Sequence, residues 1–373
     1  MKIAVIAGEK SGDNYGALLI DAIRKIEKDV FVIGTGGEGI REKADLFIKS
    51  PYGRMGFSGV ISHLPLFYHA FKKVKEILKK ECPSFIVFID NPGFNLKLAQ
   101  VLGEKFPCFY YIPPKVWAHN YGRIRIMKKY IKAVITIFPF EEGIYKKEGI
   151  PAFWFGHPVT DLIKTEQNLK ERYNIPVIGL LPGSREKEVR YLLPVFIHTV
   201  KIISKRRRVK TLLSASDMPI KRIEEEILKK YHTEMEIIEG SPHIVIRYAS
   251  VVLAASGTVN LEVALLQKPL LVFYKTKYLD YLIARSMVKL KIISPVNLLA
   301  GEKVIPEYIQ YFPYRKITGD IEDILNKGAL YRQEQELFSR IAEIAGRGNV
   351  SEAVAEFLIK NYAKRDIEDK KLC

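Results

Sequence analysis

Cysteine is scarce in this chain, and no apolar run is long enough to cross a membrane. Its 373 residues include 3 cysteines, Cys82, Cys108 and Cys373, which form no CxxC pair and have no histidine at zinc-ligand spacing. A transmembrane helix needs about 20 consecutive apolar residues, and the opening segment MKIAVIAGEK reaches glycine and charge too early for a signal peptide. We therefore expect a cytoplasmic protein without a disulfide framework or a structural metal ion.

Acidic residues are also few relative to basic ones. The chain has 59 lysines and arginines against 42 aspartates and glutamates, a formal charge of +17 and a pI of about 9.5. This excess favours an anionic partner: nucleic acid, an acidic membrane surface or a phosphorylated small molecule. The chain contains no RNA-binding signature, zinc finger or basic-zipper heptad, so nucleic acid is the least favoured of the three.

Short β-branched segments alternate with longer helical patterns along the whole chain. One series runs from KIAVIAG through VFVIGTGG, SFIVFID and FPCFYYI to AVITIFPF, and a second runs from PVIGLLPGSR to KPLLVFYK. Such alternation predicts an α/β fold of parallel sheets with helices on both faces. We expect two Rossmann-like domains, residues 1–165 and 166–345, and a helical segment over residues 346–373 that could pack back on the first domain.

The first strand runs into the glycine-containing loop AGEKSGDNYG. A P-loop requires glycine directly before its Lys-Ser pair, where Glu9 stands, and the dinucleotide fingerprint requires glycines at its first, third and sixth positions. Gly8, Gly12 and Gly16 instead recur every fourth residue, and Asp13 is expected to cap the helix that follows. The spacing favours close backbone approach over phosphate binding, with an ordinary strand-to-helix turn as the alternative.

Two loops in the second half of the chain combine glycine, hydroxyl groups and a helix start. LPGSREKEV and LAASGTVNLEVAL each end a strand and begin a helix, whose free N–H groups suit an anion. An arginine adds fixed positive charge, and a glutamate one turn into the second helix could accept hydrogen bonds from ribose. The alternative is a pair of ordinary capped helices. The pattern selects Ser184, Arg185, Ser256, Gly257, Thr258 and Glu262.

The segment SPVNLLAGEKVIPEYIQ places three further polar residues between prolines. Glu307 and Gln310 are one helical turn apart if the segment is helical, and with Asn297 they could read a base or sugar edge. Exposed surface polarity is the alternative for each of them.

One loop in the first half carries a candidate general base. FIDNPGFN ends a strand on a single acid, Asp90, followed by a stiff Pro-Gly turn and Asn95. A carboxylate held at the end of a strand is well placed to remove a proton. An ordinary helix cap is the alternative.

Together these loops resemble the lipid-A-disaccharide synthase family, glycosyltransferases of the two-Rossmann-domain GT-B type. The resemblance covers nearly the whole chain, in order. It is carried by AGEKSGDNYG, GTGGEG, MGF, DNPGFN, IPPKVWAH, FPFE, GHPVTD, LPGSR, SGTVNLE, PVN, and PE with Gln310.

The resemblance implies two Rossmann-like domains whose parallel sheets face a central cleft. It implies an inverting transfer of 2,3-diacylglucosamine from UDP to the 6-hydroxyl of 2,3-diacylglucosamine 1-phosphate (lipid X), giving a β-1,6 disaccharide 1-phosphate and UDP. No cofactor or metal is expected, and no Asp-x-Asp motif occurs. The donor UDP would contact Ser184, Arg185, Ser256, Gly257, Thr258, Glu262, Asn297, Glu307 and Gln310. The acceptor side would include Gly8, Ser11, Gly12, Asn95, Trp117 and His119.

For catalysis the resemblance leaves two acids, Asp90 and its rival Asp13. Many family members carry a second acid in the DNPGFN motif, where this chain has Gly93. Any role of that second acid must therefore fall to Asp90 or to another group.

The acylated substrates imply work at the cytoplasmic face of the inner membrane of a Gram-negative bacterium. LPLFYHAFKKVKEILKK is a basic amphipathic segment whose Phe67, Phe71, Lys72 and Lys73 could lie on anionic lipid. The alternative is a core-facing helix with solvated lysines. A homodimer is left open.

Three rival functions remain at this stage. Two share the fold class: a UDP-N-acetylglucosamine 2-epimerase and the peptidoglycan N-acetylglucosaminyltransferase, although SGTVNLE does not resemble the glycine-rich donor loop of the latter. The third, a basic nucleic-acid-binding protein, would explain the charge but not the ordered loop motifs.

Overall fold

The chain is divided into two compact units. The computed structural model describes residues 1–49, 64–117, 120–164, 173–240, 242–278, 281, 292–346 and 348–362. The first unit comprises Met1–Asp161 and Gly346–Cys373, and the second comprises Leu162–Ala345. The MGF motif and His119 lie outside the described residues, as does the predicted boundary at 165–166.

The first unit contains a sheet of seven parallel strands in the order β3-β2-β1-β4-β5-β6-β7. Its central strands are buried along nearly their whole length, as expected for a parallel sheet covered on both faces, whereas the edge strand β3 is only half-buried. The strands are β1 Lys2–Ala7, β2 Phe31–Thr35, β3 Leu46–Phe47, β4 Phe85–Ile89, β5 Cys108–Tyr111, β6 Ala133–Thr136 and β7 Ala152–Trp154.

Helices connect these strands and cover the sheet. Apolar side chains from α3, α4 and α5 pack with β1, β4 and β5 in one core cluster. The helices are α1 Lys10–Ile26, α2 Glu38–Lys43, α3 Leu64–Glu81, α4 Pro92–Leu102, α5 Arg123–Tyr130, α6 Pro139–Lys147 and α7 Val159–Lys164. No described helix is long and apolar enough to cross a membrane.

The first unit is completed by a helix from the far end of the chain, α15 Val350–Tyr362, which follows the seven described helices of the second unit. Its first turn is capped by Asp161, whose carboxylate accepts hydrogen bonds from the N–H groups of Val350 (3.1 Å) and Ser351 (2.7 Å). Phe357 packs on Phe153 with 4.5 Å between ring centroids. This helix therefore belongs to the core of the first unit.

The second unit contains a sheet of six parallel strands in the order β10-β9-β8-β11-β12-β13. β8 and β11 are buried throughout, and the edge strand β10 is partly exposed. The strands are β8 Val177–Leu181, β9 Lys210–Ala215, β10 Glu236–Glu239, β11 Val251–Ala255, β12 Leu270–Tyr274 and β13 Glu307–Ile309.

Two helices of the second unit begin at a side-chain cap. Asp217 accepts a hydrogen bond from the N–H of Ile220 at 3.0 Å to start α9, and Ser294 accepts one from Val296 at 3.2 Å to start α12. The helices are α8 Glu186–Ser204, α9 Met218–Lys230, α10 Pro242–Tyr248, α11 Val259–Leu265, α12 Pro295–Ala300, α13 Tyr314–Leu325 and α14 Ala329–Ala345.

The amphipathic segment of the first unit packs its apolar face on the protein core. Phe67 and Phe71 of α3 contact the ring of Phe94, with centroids 5.1 and 6.2 Å away, and Val74 and Leu78 are fully buried. The apolar face of α3 therefore packs against the protein core, with Phe67 and Phe71 half-buried there, and contact of the two phenylalanines with lipid stays a prediction.

Cys108 on β5 is a free, buried thiol.

A buried carboxyl group in α9 makes stability depend on pH. Both side-chain oxygens of Glu224 are buried and have no hydrogen-bond partner among the described residues. Burial raises the pKa of Glu224 to about 8, and Asp217 adds repulsion. Because the folded state holds this proton more tightly than the unfolded chain does, its stabilising effect is complete below about pH 4.5 and is lost as pH rises to about 8.

We expect the free energy of unfolding of Glu224→Gln to exceed that of the parent protein by on the order of 2 kcal/mol at pH 8.5, and by less at pH 5. Urea titrations at both pH values measure this gap. The exposed neighbour Glu225→Gln is the control and should show no such change. Parallel pH profiles for the parent and Glu224→Gln would contradict the assignment.

Candidate active site

In each sheet, consecutive strands are placed first on one side of the sheet's first strand and then on the other, so the strand order reverses at one place. The reversal lies between β1 and β4 in the first unit and between β8 and β11 in the second. Ligands of open α/β sheets bind beyond the carboxyl ends of the strands at such points. The four loops that follow these strands contain most of the residues selected from the sequence.

Gly8 follows β1 and touches the loop that follows β4. A Cβ atom added to Gly8 would lie 1.9 Å from Nδ2 of Asn91, so only glycine allows the two loops to meet. A Cβ on Gly12 would make an ordinary 3.4 Å contact with Ile89. Ser11 is half-buried at the start of α1. These three residues follow β1 and form its side of the reversal point in the first unit.

Asp13 caps a helix, but not the one predicted. It lies within the first turn of α1, whose cap position is Glu9. Its buried carboxylate accepts hydrogen bonds from the N–H groups of Gly37 (2.8 Å), Gly39 (2.9 Å) and Ile40 (3.0 Å). Asp13 therefore holds the GTGGEG segment and the start of α2.

Asp90 occupies a strained position at the end of β4. Asp90 and Asn91 both have left-handed backbone conformations, with φ of 50° and 46°, which non-glycine residues seldom adopt. The carbonyl of Asp90 accepts hydrogen bonds from Tyr110 Oη at 2.6 Å and Asn95 Nδ2 at 2.8 Å. The backbone is thereby fixed, while the side chain is half-exposed.

Asn95, predicted on the acceptor side, is fully buried beneath this loop. Besides Asp90, its Nδ2 lies 3.2 Å from the carbonyl of Ile89. Burial, followed by the negative charge of Asp90, raises the pKa of Tyr110 well above its usual value, so that its hydroxyl stays protonated and donates. Both side chains act on the backbone of Asp90.

Trp117 belongs to an aromatic cluster in the segments that follow β5 and β6. Its Nε1 donates to Oε1 of the buried Glu141 at 3.0 Å, and its ring meets that of Phe140 with centroids 5.3 Å apart. Burial raises the pKa of Glu141. His157 lies beside this cluster, and burial lowers its pKa to about 3, so that it is neutral.

The loop after β8 has a carboxylate of its own. Gly183 has a φ of 119°, and a Cβ there would lie 2.4 Å from Oε2 of Glu188. Glu188 also accepts a hydrogen bond from Nη1 of Arg185 at 3.3 Å. Burial is the main influence on Glu188 and raises its pKa. Ser184 and Arg185 are exposed at the start of α8, and Glu188 was not selected from the sequence.

The loop after β11 is held from below by Asn260, which is fully buried. Its Nδ2 donates to the carbonyl of Ala255 at 3.0 Å, and its Oδ1 accepts from the N–H of Gly257 at 3.2 Å. The hydroxyl of Ser256 donates to the carbonyl of Ile293 at 2.9 Å. Gly257 has open space where a Cβ would stand, and Thr258 is half-buried beside it. The open side of this loop is thus formed by Gly257 and Thr258.

Glu262 lies one turn into α11 and is nearly buried. Its Oε2 is 3.0 Å from Nε2 of His243, which lies at the start of α10 and is itself buried. His243 was not selected from the sequence, because nothing near it in the chain indicates a partner 19 residues away.

Asn297 and Glu307 bind the protein's own backbone. Asn297 Oδ1 accepts from the N–H groups of Val304 (3.0 Å) and Ile305 (2.8 Å), and its Nδ2 donates to Oε1 of Glu307 at 3.0 Å. Glu307 also accepts from the N–H of Ser294 at 2.8 Å. The two side chains therefore hold the start of α12.

Gln310 follows β13 instead of continuing a helix, so the predicted helical turn from Glu307 is wrong. Its side-chain amide pairs with the backbone of Thr276, accepting from the N–H at 2.7 Å and donating to the carbonyl at 3.0 Å. Strand pairing with β12 is the reason that this segment is extended.

Within the described ranges, no group of three or more histidine, cysteine, aspartate or glutamate side chains could hold a metal ion.

Two Rossmann-like domains with parallel sheets define the GT-B class of α/β proteins. The crystal structure of UDP-GlcNAc 2-epimerase from Neisseria meningitidis, bound to UDP-GlcNAc, has the same fold, with a TM-score of 0.65 and 16% identity over 97% of this chain and 100% of that one. Lipid-A-disaccharide synthase of Coxiella burnetii is 31% identical over 370 residues, 95% of this chain and 96% of that protein. Lipid-A-disaccharide synthase 1 of Legionella pneumophila is 32% identical over 328 residues, 83% of this chain and 84% of that protein.

A sequence model of the lipid-A-disaccharide synthetase family matches residues 3–340. The chain belongs to this family of lipid A biosynthesis glycosyltransferases, as the sequence motifs predicted.

Two glycines of the first unit offer a test of the loop geometry. We expect Gly8→Ala to destabilise the protein by about 1–3 kcal/mol, because its methyl group would overlap the side chain of Asn91. Gly93→Ala should leave stability unchanged or raise it by up to about 1 kcal/mol, because no atom lies within 4 Å of the added methyl and alanine favours the helix. Thermal unfolding of both variants measures the difference. Equal effects would contradict the described contact.

Proposed function

We propose that this chain is the inverting glycosyltransferase that joins UDP-2,3-diacylglucosamine to 2,3-diacylglucosamine 1-phosphate (lipid X), releasing UDP and the β-1,6-linked lipid A disaccharide 1-phosphate. Membership of the lipid-A-disaccharide synthetase family supports the reaction class. The assignment of the general base rests on the position of Asp90, a half-exposed carboxylate on a rigid, strained loop at the reversal point of the first sheet. Strain at such positions is concentrated at functional sites.

In this proposal the second unit binds the donor. Arg185 supplies fixed positive charge, and Ser184, Gly257 and Thr258 offer hydroxyl and amide hydrogen-bond donors to the diphosphate. Glu262 accepts hydrogen bonds from ribose hydroxyls. The charge that develops on departing UDP is held by these groups without a metal ion.

Four other donor-side residues act indirectly in the proposal. Ser256, Asn297, Glu307 and Gln310 hydrogen-bond to the backbone of segments around residues 276 and 293–305. They support the shape of the donor site, and the uracil is read by the loops they hold.

The first unit supplies the base. Asp90 accepts the proton of the acceptor 6-hydroxyl while that oxygen bonds to the anomeric carbon and the bond from that carbon to the UDP oxygen breaks, which inverts the anomeric centre. Asp13 is the weaker candidate because its carboxylate already accepts three backbone hydrogen bonds. Gly8, Ser11 and Gly12 form the wall beside Asp90.

We expect Asp90→Asn to lower kcat by at least about 100-fold, because the amide cannot accept the proton. The dissociation constant for UDP should stay within about twofold, since the donor contacts lie in the second unit. Steady-state kinetics and calorimetry measure the two quantities. The control is Asp29→Asn, an exposed acid in the turn before β2. Turnover near that of the parent would remove Asp90 from this role.

The reaction is tested by measuring UDP release from UDP-2,3-diacylglucosamine in detergent, with and without lipid X, and with the divalent-metal chelator EDTA. Acceptor-dependent release together with a disaccharide product would support the proposal. Release that is equal without acceptor would identify a hydrolase or an epimerase-like enzyme on the same fold. No release would count against the proposed substrates.

We further propose that the first unit contacts the cytoplasmic face of the inner membrane through the exposed side of α3, because both substrates carry acyl chains. Leu66 and Tyr68 are 52% and 66% exposed, and Lys72 and Lys73 are exposed on the same helix. An apolar end beside lysines suits an anionic lipid surface. The proposal uses these exposed residues of α3 and not Phe67 and Phe71, which are half-buried against Phe94.

Replacing Lys72 and Lys73 together by glutamine should weaken binding to phosphatidylglycerol vesicles by about 2 kcal/mol, roughly 1 kcal/mol per lysine near the surface. Co-sedimentation at fixed salt measures the change. The matched control is the same replacement of Lys229 and Lys230, exposed on α9 of the second unit. If both pairs behave alike, the contact is a general charge effect and α3 is not its site.

A further inference from the structure

A buried histidine stands behind the carboxylate that we assign to the donor ribose. His243 Nε2 and Glu262 Oε2 are 3.0 Å apart, and the residues are only 7% and 9% exposed. At this depth, water competes weakly for the hydrogen bond. The pair also links two short helices, α10 and α11, that lie on either side of β11 in the chain.

The hydrogen bond fixes the plane of the Glu262 carboxylate. A glutamate side chain otherwise turns freely about its last bond, so its lone pairs have no preferred direction. With Oε2 held by the imidazole, the remaining lone pairs of the carboxylate point in set directions, and a carboxylate can accept about four hydrogen bonds. Two neighbouring hydroxyl groups on one sugar ring are the ligand chemistry that such a fixed acceptor recognises.

We infer that His243 is a positioning residue for the nucleotide donor, which orients Glu262 toward the 2′- and 3′-hydroxyls of the ribose of UDP. This inference rests on the proposed role of Glu262. No bond is made or broken by the pair, and its effect is on which nucleotide binds.

The consequence is selection of ribonucleotides over deoxyribonucleotides. A site built to bond a hydroxyl rejects the analogue that lacks it, because the buried acceptor is then left without a partner. If Glu262 were free to rotate, ordering its carboxylate against the ribose hydroxyls would cost free energy when UDP binds, and the preference would fall. Loss of His243 should therefore affect UDP more than its deoxy analogues.

The experiment compares the affinity of the full chain for UDP, 2′-deoxy-UDP and 3′-deoxy-UDP by calorimetry. It uses the parent protein, His243→Phe, His243→Gln and Glu262→Gln. Phenylalanine keeps the ring without a donor, whereas the glutamine amide can donate from near the place of Nε2. We expect the parent to prefer UDP about tenfold, which corresponds to one hydrogen bond to a charged group. His243→Phe should reduce this preference below about threefold by weakening UDP alone, and His243→Gln should keep most of it.

Three results would overturn the inference. If His243→Phe weakens all three nucleotides equally, His243 only supports the fold of α10 and α11. If Glu262→Gln loses the preference but His243→Phe keeps it, Glu262 reads the ribose without help from His243. If Glu262→Gln keeps the full preference, Glu262 does not read the ribose and that part of the proposed function fails as well. Should His243→Phe not fold, His243→Asn, whose amide is too short to reach Glu262, takes its place with the same expected loss.

Discussion

The candidate site depends on two buried asparagines, which fix the backbone at the end of one strand in each sheet. Asn95 and Asn260 each lie in the first turns of a helix and donate to a carbonyl where the fourth strand of their sheet ends, at Asp90 and Ala255. An asparagine amide can donate and accept at once. Asn260 does both, since its Oδ1 also accepts from the N–H of Gly257, whereas Oδ1 of Asn95 is buried without a partner among the described residues. Because each is fully buried, water cannot substitute for it. Both units thus use the same side chain to set the loop at their reversal point.

The carboxylates around these loops show a second common theme. Asp13 and Glu307 accept backbone N–H groups at helix starts, and Glu188 lies against the start of α8. The beginning of a helix has unsatisfied N–H groups and a positive end of its dipole, so an acid is drawn there whether or not a ligand binds. The acids that most resembled ligand contacts in the sequence are therefore divided between support and chemistry, and the proposed function assigns proton removal to Asp90 and ribose binding to Glu262.

The domain pattern was readable from the sequence because central parallel strands are buried on both faces and appear as unbroken β-branched runs such as VIGLL. The strand-end loops were readable for the same reason. The sequence was ambiguous where one pattern suits two structures. The amphipathic spacing of α3 suits a core as well as a membrane, and in the structure it packs on the core. The spacing of Glu307 and Gln310 suits a helix, but pairing with β12 makes the segment a strand, so the predicted helical turn failed. Pairings across distance, such as His243 with Glu262, leave no local signal.

The capping of α15 by Asp161 joins segments 189 residues apart in the chain. The second unit is continuous, from Leu162 to Ala345, but the first is interrupted by it and ends with residues beyond Gly346. Domains generally fold as units while the chain leaves the ribosome. The earlier-synthesised unit must therefore wait for its last helix, and the unit made second is the first that can finish folding. A chain halted before residue 350 would carry a complete second unit and a first unit whose core is still open.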